Sequence, residues 1–349
     1  MKQITLEAPF QFTMSDVSDA LTPAPHEALV RVHRVGICGT DLHAFRGRQP
    51  FFSYPRVLGH ELGVEVLALG AEAAASGVRI GDRCSVEPYL SCGTCIACRR
   101  GKTNCCASLQ VLGVHTDGGM RDIFAVPARN LHVANDLEYE QLALVETLGI
   151  GAHAVERAQI EAIGAIGAIG AQEAVLVIGA GPIGLSVLQF AQFTARRLIV
   201  MDTNEQRLDF ARRHFAVEHA LLADESAVEM VARITGGDLP TIVFDATGNA
   251  ASMMRAFEFV APGGKLVFVG LVQADITFHD PFLHRREITL LASRNALSRD
   301  FTRIQGLMRR GAVDPRPGIT PRADAAEMID AFPTWLRPET GVLKAVVRF

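Results

Sequence analysis

Residues 175–191 read VLVIGAGPIGLSVLQFA, and this stretch decides the fold. Its apolar start predicts a buried β-strand, and the segment from Pro182 onward predicts a helix. Between them, Gly179, Gly181 and Gly184 form the pattern G-x-G-x-x-G. Glycines at this spacing permit a tight turn and let a pyrophosphate approach the N-terminus of the helix. The stretch therefore predicts a dinucleotide-binding unit.

Short, nearly unbroken apolar runs recur around this unit, and helix-like segments separate most of them. They occupy residues 174–179, 197–202, 219–224, 241–248, 265–270 and 288–293. Buried parallel strands have this appearance, so the alternation predicts βαβ units in a doubly wound α/β sheet. The second run, RLIVMD, ends at Asp202. A carboxylate about 20 residues after the glycines is placed to accept hydrogen bonds from a ribose.

The chain has 349 residues, more than one hydrophobic core usually serves, so two domains are expected. Residues 28–38, 57–69 and 81–89 are rich in Val and Leu and predict strands in a β-rich first part. Residues 141–160 have the apolar spacing of a helix. The final VLKAVVRF predicts a strand that returns to the first domain.

Composition narrows the classes of function. The net charge of -4 gives no electrostatic reason to expect nucleic acid or an anionic membrane as a partner. The N-terminus does not resemble a signal peptide, and charged or polar residues interrupt every apolar run. A soluble cytosolic protein is expected. The repeat AIGAIGAIG at 162–170 predicts either a helix extension or a loose linker, with no chemistry of its own.

Residues 91–106, SCGTCIACRRGKTNCC, contain five of the seven cysteines. In a reducing compartment such a cluster suggests a metal rather than disulfides. Cys92, Cys95, Cys98 and Cys106 have the spacing C-x2-C-x2-C-x7-C, and four thiolates suit a closed, structural zinc site. Incidental thiols and an iron site are the alternatives, and Cys105 is a fifth candidate ligand.

A second possible metal site comes from GICGTDLH at 36–43 and VLGHE at 57–61. Cys38, His60 and Glu61 offer sulfur, nitrogen and oxygen ligands at the ends of strand-like runs. Taken alone, a cysteine and a distant histidine are more often structural than ligating.

The sequence resembles the zinc-containing medium-chain dehydrogenases/reductases over essentially its whole length. The motifs that carry the resemblance occur in order: C-G-T-D-x-H, G-H-E, the four-cysteine loop, V-E-x-L-G-x-x-A-H-A, the nucleotide-binding glycines and D-A-T-G. The chain is most similar to the branch of polyol, L-threonine and sugar-acid dehydrogenases. Within that branch, residues 36–61 and 290–297 look closest to bacterial enzymes that act on L-galactonate.

The resemblance implies a role for each matching residue. The residues implied at the catalytic zinc are Cys38, His60, Glu61 and Glu146. Asp41 would hydrogen-bond the distal nitrogen of His60, Thr40 would contact the substrate hydroxyl, and His43 would pass the proton toward solvent. Thr147 and Val64 depart from the family pattern, which has Pro after the glutamate and Gly in the pattern G-H-E-x-x-G.

The resemblance also implies NAD as the hydride acceptor, because a carboxylate at Asp202 repels the 2′-phosphate of NADP. Arg207 lies close by in the sequence and is interpreted as a solvated helix residue. The residues expected at the cofactor are Gly179, Gly181, Pro182, Ile183, Gly184, Asp202, Thr247, Val269, Gly270 and Leu271.

The expected reaction is oxidation of a secondary alcohol on a sugar acid or polyol, with two zinc ions per subunit. Arg294 matches a position that contacts substrate in polyol dehydrogenases, and its guanidinium suits a carboxylate. The alternatives are an amino alcohol such as L-threonine as the substrate, a zinc-free quinone reductase, and a non-enzymatic zinc-loop binding protein. The resemblance implies a GroES-like catalytic domain at 1–150 and 294–349, a Rossmann domain at 151–293, a cleft between them as the active site, and a homodimer or homotetramer.

Overall fold

The computed structural model describes residues 1–17, 21–50, 52–158 and 174–349. The repeat at 162–170 lies outside the described residues. Contacts between residues divide the chain into two units. The first comprises Met1–Thr147 and Ala296–Phe349, and the second comprises Leu148–Asn295.

The regular elements are numbered in chain order. The strands are β1 Lys2–Ala8, β2 Gln11–Asp16, β3 Glu27–Gly36, β4 Glu61–Leu69, β5 Arg83–Val86, β6 Tyr89–Leu90, β7 Gln110–Val111, β8 Ile123–Pro127, β9 Leu131–Val133, β10 Ala174–Ile178, β11 Arg197–Asp202, β12 His219–Leu222, β13 Ile242–Asp245, β14 Lys265–Phe268, β15 Thr289–Ala292, β16 Ile319–Asp324 and β17 Lys344–Arg348. The α-helices are α1 Gly39–Phe45, α2 Ile96–Arg99, α3 Tyr139–Ala143, α4 Val145–Arg157, α5 Pro182–Ala191, α6 Glu205–His214, α7 Ala227–Ile234, α8 Ala250–Arg255, α9 Asp280–Arg286, α10 Ser298–Arg309 and α11 Ala325–Trp335.

The first unit is built on a mixed sheet with the order β16-β17-β3-β4-β5-β9, to which β8 adds by pairing with β3. The long strand β3 alternates in the expected way, since Val30 and Val32 are buried whereas Arg31 is exposed. Strand β17 pairs antiparallel with β3, so the end of the chain does return to the first unit.

One strand is shorter than the sequence predicts. The apolar run 57–69 becomes strand β4 only from Glu61. Gly59 has a φ of +94°, a left-handed conformation that interrupts the extended chain. The segment before it is bound instead by backbone hydrogen bonds to residues 118–120, including the N–H of Met120 to the carbonyl of Leu58 at 2.9 Å.

An aromatic cluster in the first unit fixes the end of helix α1. Phe45, the last residue of α1, stacks on Phe12 with ring centroids 5.2 Å apart and lies 5.0 Å from Phe332 of α11. Both Phe45 and Phe332 are buried. Because aromatic packing of this kind restricts motion, the cluster anchors the helix that carries Thr40 and His43.

The second unit contains a parallel sheet with the order β12-β11-β10-β13-β14-β15. Counted from β10, this is the doubly wound order 3-2-1-4-5-6, with its switch point between β10 and β13. Every residue of β10 is buried, as expected for a central parallel strand. The predicted α/β class with a doubly wound parallel sheet is confirmed. Within the described residues, no helix combines the length and the apolar character that a membrane span requires.

Candidate active site

The register of two strands brings the first metal-binding candidates together. Gly36 of β3 pairs with Glu61 of β4, so Cys38, just after β3, and His60, just before β4, lie at the same end of the sheet. The possible ligand atoms of Cys38, His60 and Glu61 all lie within 4.8 Å of one another. His60 and Glu61 are buried, and Cys38 is half-buried. Sulfur, nitrogen and oxygen donors of this kind suit a zinc ion.

The electrostatics of this cluster favour a cation at its centre. Burial lowers the pKa of His60, but the neighbouring Asp41 carboxylate and the Cys38 sulfur raise it more, and the net pKa lies well above the usual value. A buried cluster that stabilises a proton on imidazole would stabilise a divalent cation in the same way. The donor set therefore fits zinc.

Asp41 does not make the predicted hydrogen bond to His60. Its Oδ2 accepts a hydrogen bond from the Cys38 N–H at 2.8 Å, which caps helix α1. Its Oδ1 lies 3.8 Å from His60 Nδ1, and neither atom has a hydrogen-bond partner in the described part of the chain. The two carboxylate oxygens of Asp41 therefore act differently. Oδ2 caps the helix, whereas Oδ1 faces His60 at a distance too long for a hydrogen bond.

Glu146 lies on the first turn of α4 and is buried. It is outside the group of three ligand atoms, but its charge contributes to the raised pKa of His60. The buried Tyr89 donates a short hydrogen bond from its hydroxyl to Glu146 Oε1. Burial raises the pKa of Glu146, and the charge of His60 opposes this. The sequence analysis missed Tyr89, because no local pattern around it indicates this tertiary contact.

The sequence analysis also gave no role to Lys344. It is the first residue of β17, and its Nζ contacts both carboxylate oxygens of Glu61, at 2.6 and 2.8 Å. Burial lowers the pKa of this lysine, but Glu61 raises it more, so the net pKa is above its usual value. The apolar run VLKAVVRF, in which one lysine interrupts a buried strand, was the available signal.

Thr40 and His43 lie three residues apart on α1, which places them on neighbouring positions of one helix face. Thr40 is half-buried and His43 is exposed. Partial burial lowers the pKa of His43, and the charges of Arg46 and Arg48 lower it further. His43 is therefore held in the neutral form, which can accept a proton.

The four predicted cysteines of the loop come together. The sulfurs of Cys92, Cys95, Cys98 and Cys106 lie within 4.8 Å of one another. Cys105 is exposed and is not a member of that group. Backbone N–H groups point at the sulfurs, since Cys95 N–H donates to Cys92 Sγ at 3.3 Å and Cys92 N–H donates to Cys106 Sγ at 3.3 Å.

These N–H···S contacts favour thiolates. The backbone N–H and the hydroxyl of Thr94 lower the pKa of Cys92 to about 5. A backbone hydrogen bond from Ala107 lowers the pKa of Cys95. Burial and the neighbouring Cys95 thiol instead raise the pKa of Cys98 to about 11. Because thiolate is the metal-binding form of cysteine, the loop favours two of its four sulfurs as metal ligands, and a bound cation would favour thiolate at Cys98 as well.

In the second unit, the glycine pattern forms the predicted turn between β10 and α5. Gly179 has a φ of +95°, and Gly181 is the N-cap of α5, which starts with Pro182 and Ile183. A Cβ on Gly184 would lie 1.7 Å from the carbonyl oxygen of Gly179, so only glycine permits this close packing. Among the described residues, no side chain caps α5, so the N–H groups of its first turn could receive an anionic ligand.

Asp202 stands at the end of β11, next to this turn. Its carboxylate accepts hydrogen bonds from the N–H of Ala180 at 2.6 Å and of Asn204 at 2.8 Å. Arg207 is half-buried, and its Nη1 would lie 3.7 Å from a Cβ on Gly181. Arg207 is thus at the glycine turn rather than on a fully solvated face, contrary to the interpretation from sequence.

The other cofactor candidates surround the same edge of the sheet. Thr247 donates a hydrogen bond from its hydroxyl to the buried Asp245 at 2.6 Å. The N–H groups of Val269 and Gly270 donate to the Asp245 carbonyl at 2.9 and 3.1 Å. Leu271, the next residue, is 77% exposed.

Arg294 is the residue that the sequence predicts to contact the substrate. Arg294 is exposed near the end of the second unit. Arg56 forms an ion pair with Asp117 at 3.1 Å. Close to this ion pair in the sequence, the rings of Phe52 and Tyr54 pack edge to face with centroids 4.9 Å apart.

Two family models match the chain. The model described as alcohol dehydrogenase GroES-like domain matches residues 24–136, and the model described as zinc-binding dehydrogenase matches residues 182–310. The chain therefore belongs to the zinc-binding alcohol dehydrogenases, and it is an oxidoreductase. The resemblance found in the sequence is confirmed, and so is the expectation of an enzyme rather than a zinc-loop binding protein.

Two relatives in sequence and one solved structure are similar to this chain over nearly its whole length. L-galactonate-5-dehydrogenase of Escherichia coli K12 is 39% identical over 331 residues, 94% of this chain and 93% of that enzyme. Sorbitol dehydrogenase of Bacillus subtilis 168 is 30% identical over 335 residues, 92% of this chain and 90% of that enzyme. A solved short chain alcohol dehydrogenase from Escherichia coli CFT073, complexed with NADH, matches with a TM-score of 0.90 at 28% identity, covering 100% of this chain and 99% of that one.

Proposed function

We propose that this protein is an NAD-dependent zinc dehydrogenase that oxidises a secondary alcohol of a sugar acid related to L-galactonate. The observation that carries the proposal is the group formed by Cys38, His60 and Glu61, whose ligand atoms lie within 4.8 Å of one another. A separate four-cysteine group supplies a closed site, which accounts for a second, structural zinc.

The catalytic zinc would be held by Cys38 and His60, with Glu61 and Glu146 as the available carboxylates. When bound there, zinc supplies a Lewis acid that lowers the pKa of an alcohol. Thr40 would accept a hydrogen bond from the substrate hydroxyl, and His43, one turn along α1 and exposed, would take the proton to solvent. The lowered pKa of His43 supports this role because it leaves the imidazole free to accept a proton.

NAD would bind at the glycine turn of the second unit. The pyrophosphate would lie on the N-terminus of α5, with Arg207 as a counter-charge. The Asp202 carboxylate, fixed by two backbone N–H groups, would face the ribose and repel a 2′-phosphate. Thr247 and the segment Val269 to Leu271 would line the remaining part of the cofactor.

The choice of a sugar acid rests on the relative that acts on L-galactonate and on Arg294. The relative is 39% identical over almost the whole chain. Arg294 is exposed, and a guanidinium can bind a carboxylate through two parallel hydrogen bonds. A neutral polyol is the second candidate, because a sorbitol dehydrogenase is 30% identical over 92% of this chain.

The chain is also proposed to form a homodimer or homotetramer. Strand β15 is an edge of the described parallel sheet, and its Leu290 is 41% exposed. An apolar edge strand of this kind is suited to pairing with another copy of the chain. Its cytosolic location stays a prediction.

The test is an assay of zinc-loaded protein with NAD, followed through NADH absorbance. The panel contains L-galactonate, other aldonates, sorbitol, L-fucose and L-threonine. The proposal expects the highest kcat/KM with an aldonate, and a selective loss of that preference in Arg294→Gln. A Cys38→Ser variant, matched by Cys84→Ser at a buried thiol of the same sheet, should lose turnover while the match retains it.

Preference for sorbitol or L-threonine would refute the sugar-acid substrate and leave the dehydrogenase reaction in place. Failure of the protein to bind NAD, measured by fluorescence of bound NADH, would overturn the proposed function. A preference for NADP would overturn the role given to Asp202.

A further inference from the structure

Lys344 is a lysine that is almost completely enclosed. The side chains of Lys344 and Glu61 are 7% and 1% exposed. The ammonium group reaches three acceptors, which are Glu61 Oε1 at 2.6 Å, Glu61 Oε2 at 2.8 Å and the carbonyl of Ile37 at 3.1 Å. An ammonium has three N–H donors, so its hydrogen-bonding capacity is fully used on this one carboxylate and its strand.

The chain also leaves room for that carboxylate. A Cβ on Gly36 would lie 2.1 Å from Glu61 Oε2, so the carboxylate occupies the space in which another residue would place its side chain. Gly36 pairs with Val346 of β17 on one side and with Glu61 of β4 on the other. The Glu61 carboxylate therefore lies in the space left by Gly36 and accepts hydrogen bonds from Lys344. The ammonium group of Lys344 also donates to the carbonyl of Ile37.

The charges around the proposed zinc site indicate how Lys344 affects that site. Cys38 as thiolate, Glu61 and Glu146 carry three negative charges around a proposed dication, and a buried excess charge is costly. The carboxylate of Asp41, 3.8 Å from His60, adds to this excess, and Lys344 supplies a positive charge that offsets part of it. Lys344 also draws electron density from both oxygens of Glu61, which weakens this carboxylate as a ligand.

The strength of Glu61 as a ligand matters because a zinc site with four protein ligands is closed, whereas a catalytic site keeps one exchangeable position. Cys38, His60, Glu61 and Glu146 together could supply four ligands. Resting on the function proposed above, we infer that Lys344 is a positioning residue that keeps Glu61 a weak, displaceable donor and so leaves one position of the zinc site open to substrate.

In Lys344→Met, Glu61 loses its cation and becomes a full-strength ligand, so zinc should be held more tightly while turnover falls. Zinc release to a chelating dye would have two phases, one for the four-cysteine loop and one for the catalytic site. The catalytic phase should be slower in Lys344→Met by about tenfold, the lower end of the effects seen for groups around metal ligands. The rise in Tm on adding zinc to metal-free protein should also be larger than in the wild type.

A lysine that only supports the fold would give the opposite result. The catalytic zinc would then leave Lys344→Met faster, and zinc would raise the Tm less than in the wild type, which would overturn the inference. Lys344→Arg retains the cation and should resemble the wild type. Lys265→Met, at a part-buried lysine of β14 that donates to the Ala158 carbonyl at 2.7 Å, should leave both zinc phases unchanged.

A double variant tests whether the effect passes through Glu61. In a Glu61→Gln background, Lys344→Met should change neither the catalytic release rate nor the zinc-induced rise in Tm. The double variant lacks both buried charges, so it can still be measured if Lys344→Met alone does not fold without zinc. A slower release in that background would overturn the inference. A wild type that releases only the loop zinc would instead contradict the proposed function, whatever the variants do.

Discussion

Asp41 Oδ1 lies 3.8 Å from His60 Nδ1, and both atoms are buried without a hydrogen-bond partner in the described part of the chain. Burial raises the pKa of Asp41, and the charge of His60 opposes the rise. The carboxylate thus acts on His60 through its charge while its other oxygen caps helix α1. One side chain links the start of the helix to a proposed zinc ligand.

Asp41→Asn is expected to reduce zinc affinity at the catalytic site by about 10- to 100-fold, because it removes the charge that makes His60 a better ligand. The measurement is competition with a chelator of known affinity. Asp300 is the matched control, since it is equally buried and caps α10 from the same helical position. Asp300→Asn should lower stability by about 1 kcal/mol and leave zinc affinity unchanged. Equal losses of zinc in the two variants would contradict the role given to Asp41.

His43 should set the acidic limit of alcohol oxidation. Its pKa is lowered by partial burial and then by Arg46 and Arg48. Only the neutral imidazole accepts a proton, so kcat/KM should fall as pH drops through this lowered pKa, below 6.5. Arg48→Gln removes one of the cations that lower this pKa and should therefore move the limit to higher pH.

The check is the pH profile of kcat/KM at fixed zinc and saturating NAD. High salt should shift the wild-type limit in the same direction as Arg48→Gln, because it screens the same charges. Arg233→Gln, at an exposed ion pair on α7, is the control and should have no effect. An acidic limit that is unchanged in His43→Asn would show that another group sets it.

Gly184→Ala is expected to disturb the glycine turn, because the added Cβ would lie 1.7 Å from the Gly179 carbonyl oxygen. Overpacking of this kind costs about 1–3 kcal/mol, and NAD affinity should fall with the displaced turn. Gly306→Ala, inside α10, is the matched change, since its nearest contact would be Arg310 Nη1 at 3.7 Å. That variant should gain about 0.5–1 kcal/mol of helix stability. Denaturant unfolding and NADH fluorescence measure both quantities, and equal stability changes would refute the packing argument.

Two adjacent cysteines should behave differently. Cys106→Ser is expected to lose one zinc per chain and to lower Tm, because a four-thiolate site then lacks a ligand. Cys105→Ser should retain both zinc ions, since this exposed thiol lies outside the group of four. Zinc content by atomic emission and thermal unfolding give the result. Loss of zinc in Cys105→Ser instead would reverse the assignment of the fourth ligand.

Much of the fold could be predicted from local patterns. The run RLIVMD at 197–202 coincides with β11, and the G-x-G-x-x-G pattern forms the turn before α5, because apolar runs and glycine conformations are properties of neighbouring residues. The four-cysteine loop was readable for the same reason. The run 57–69 was assigned too long a strand, since the left-handed backbone of Gly59 depends on its contact with residues 118–120.

The sequence by itself determined the doubly wound sheet, the order of the motifs and the residues that can bind metal and cofactor. Tertiary structure alone decided which groups hold the two glutamates. Lys344 and Glu61 are 283 residues apart, and Tyr89 and Glu146 are 57 apart. No local pattern connects such residues. A buried charge nevertheless requires a partner, and the pairing of β17 with β3 and of β3 with β4 brings Lys344 to Glu61.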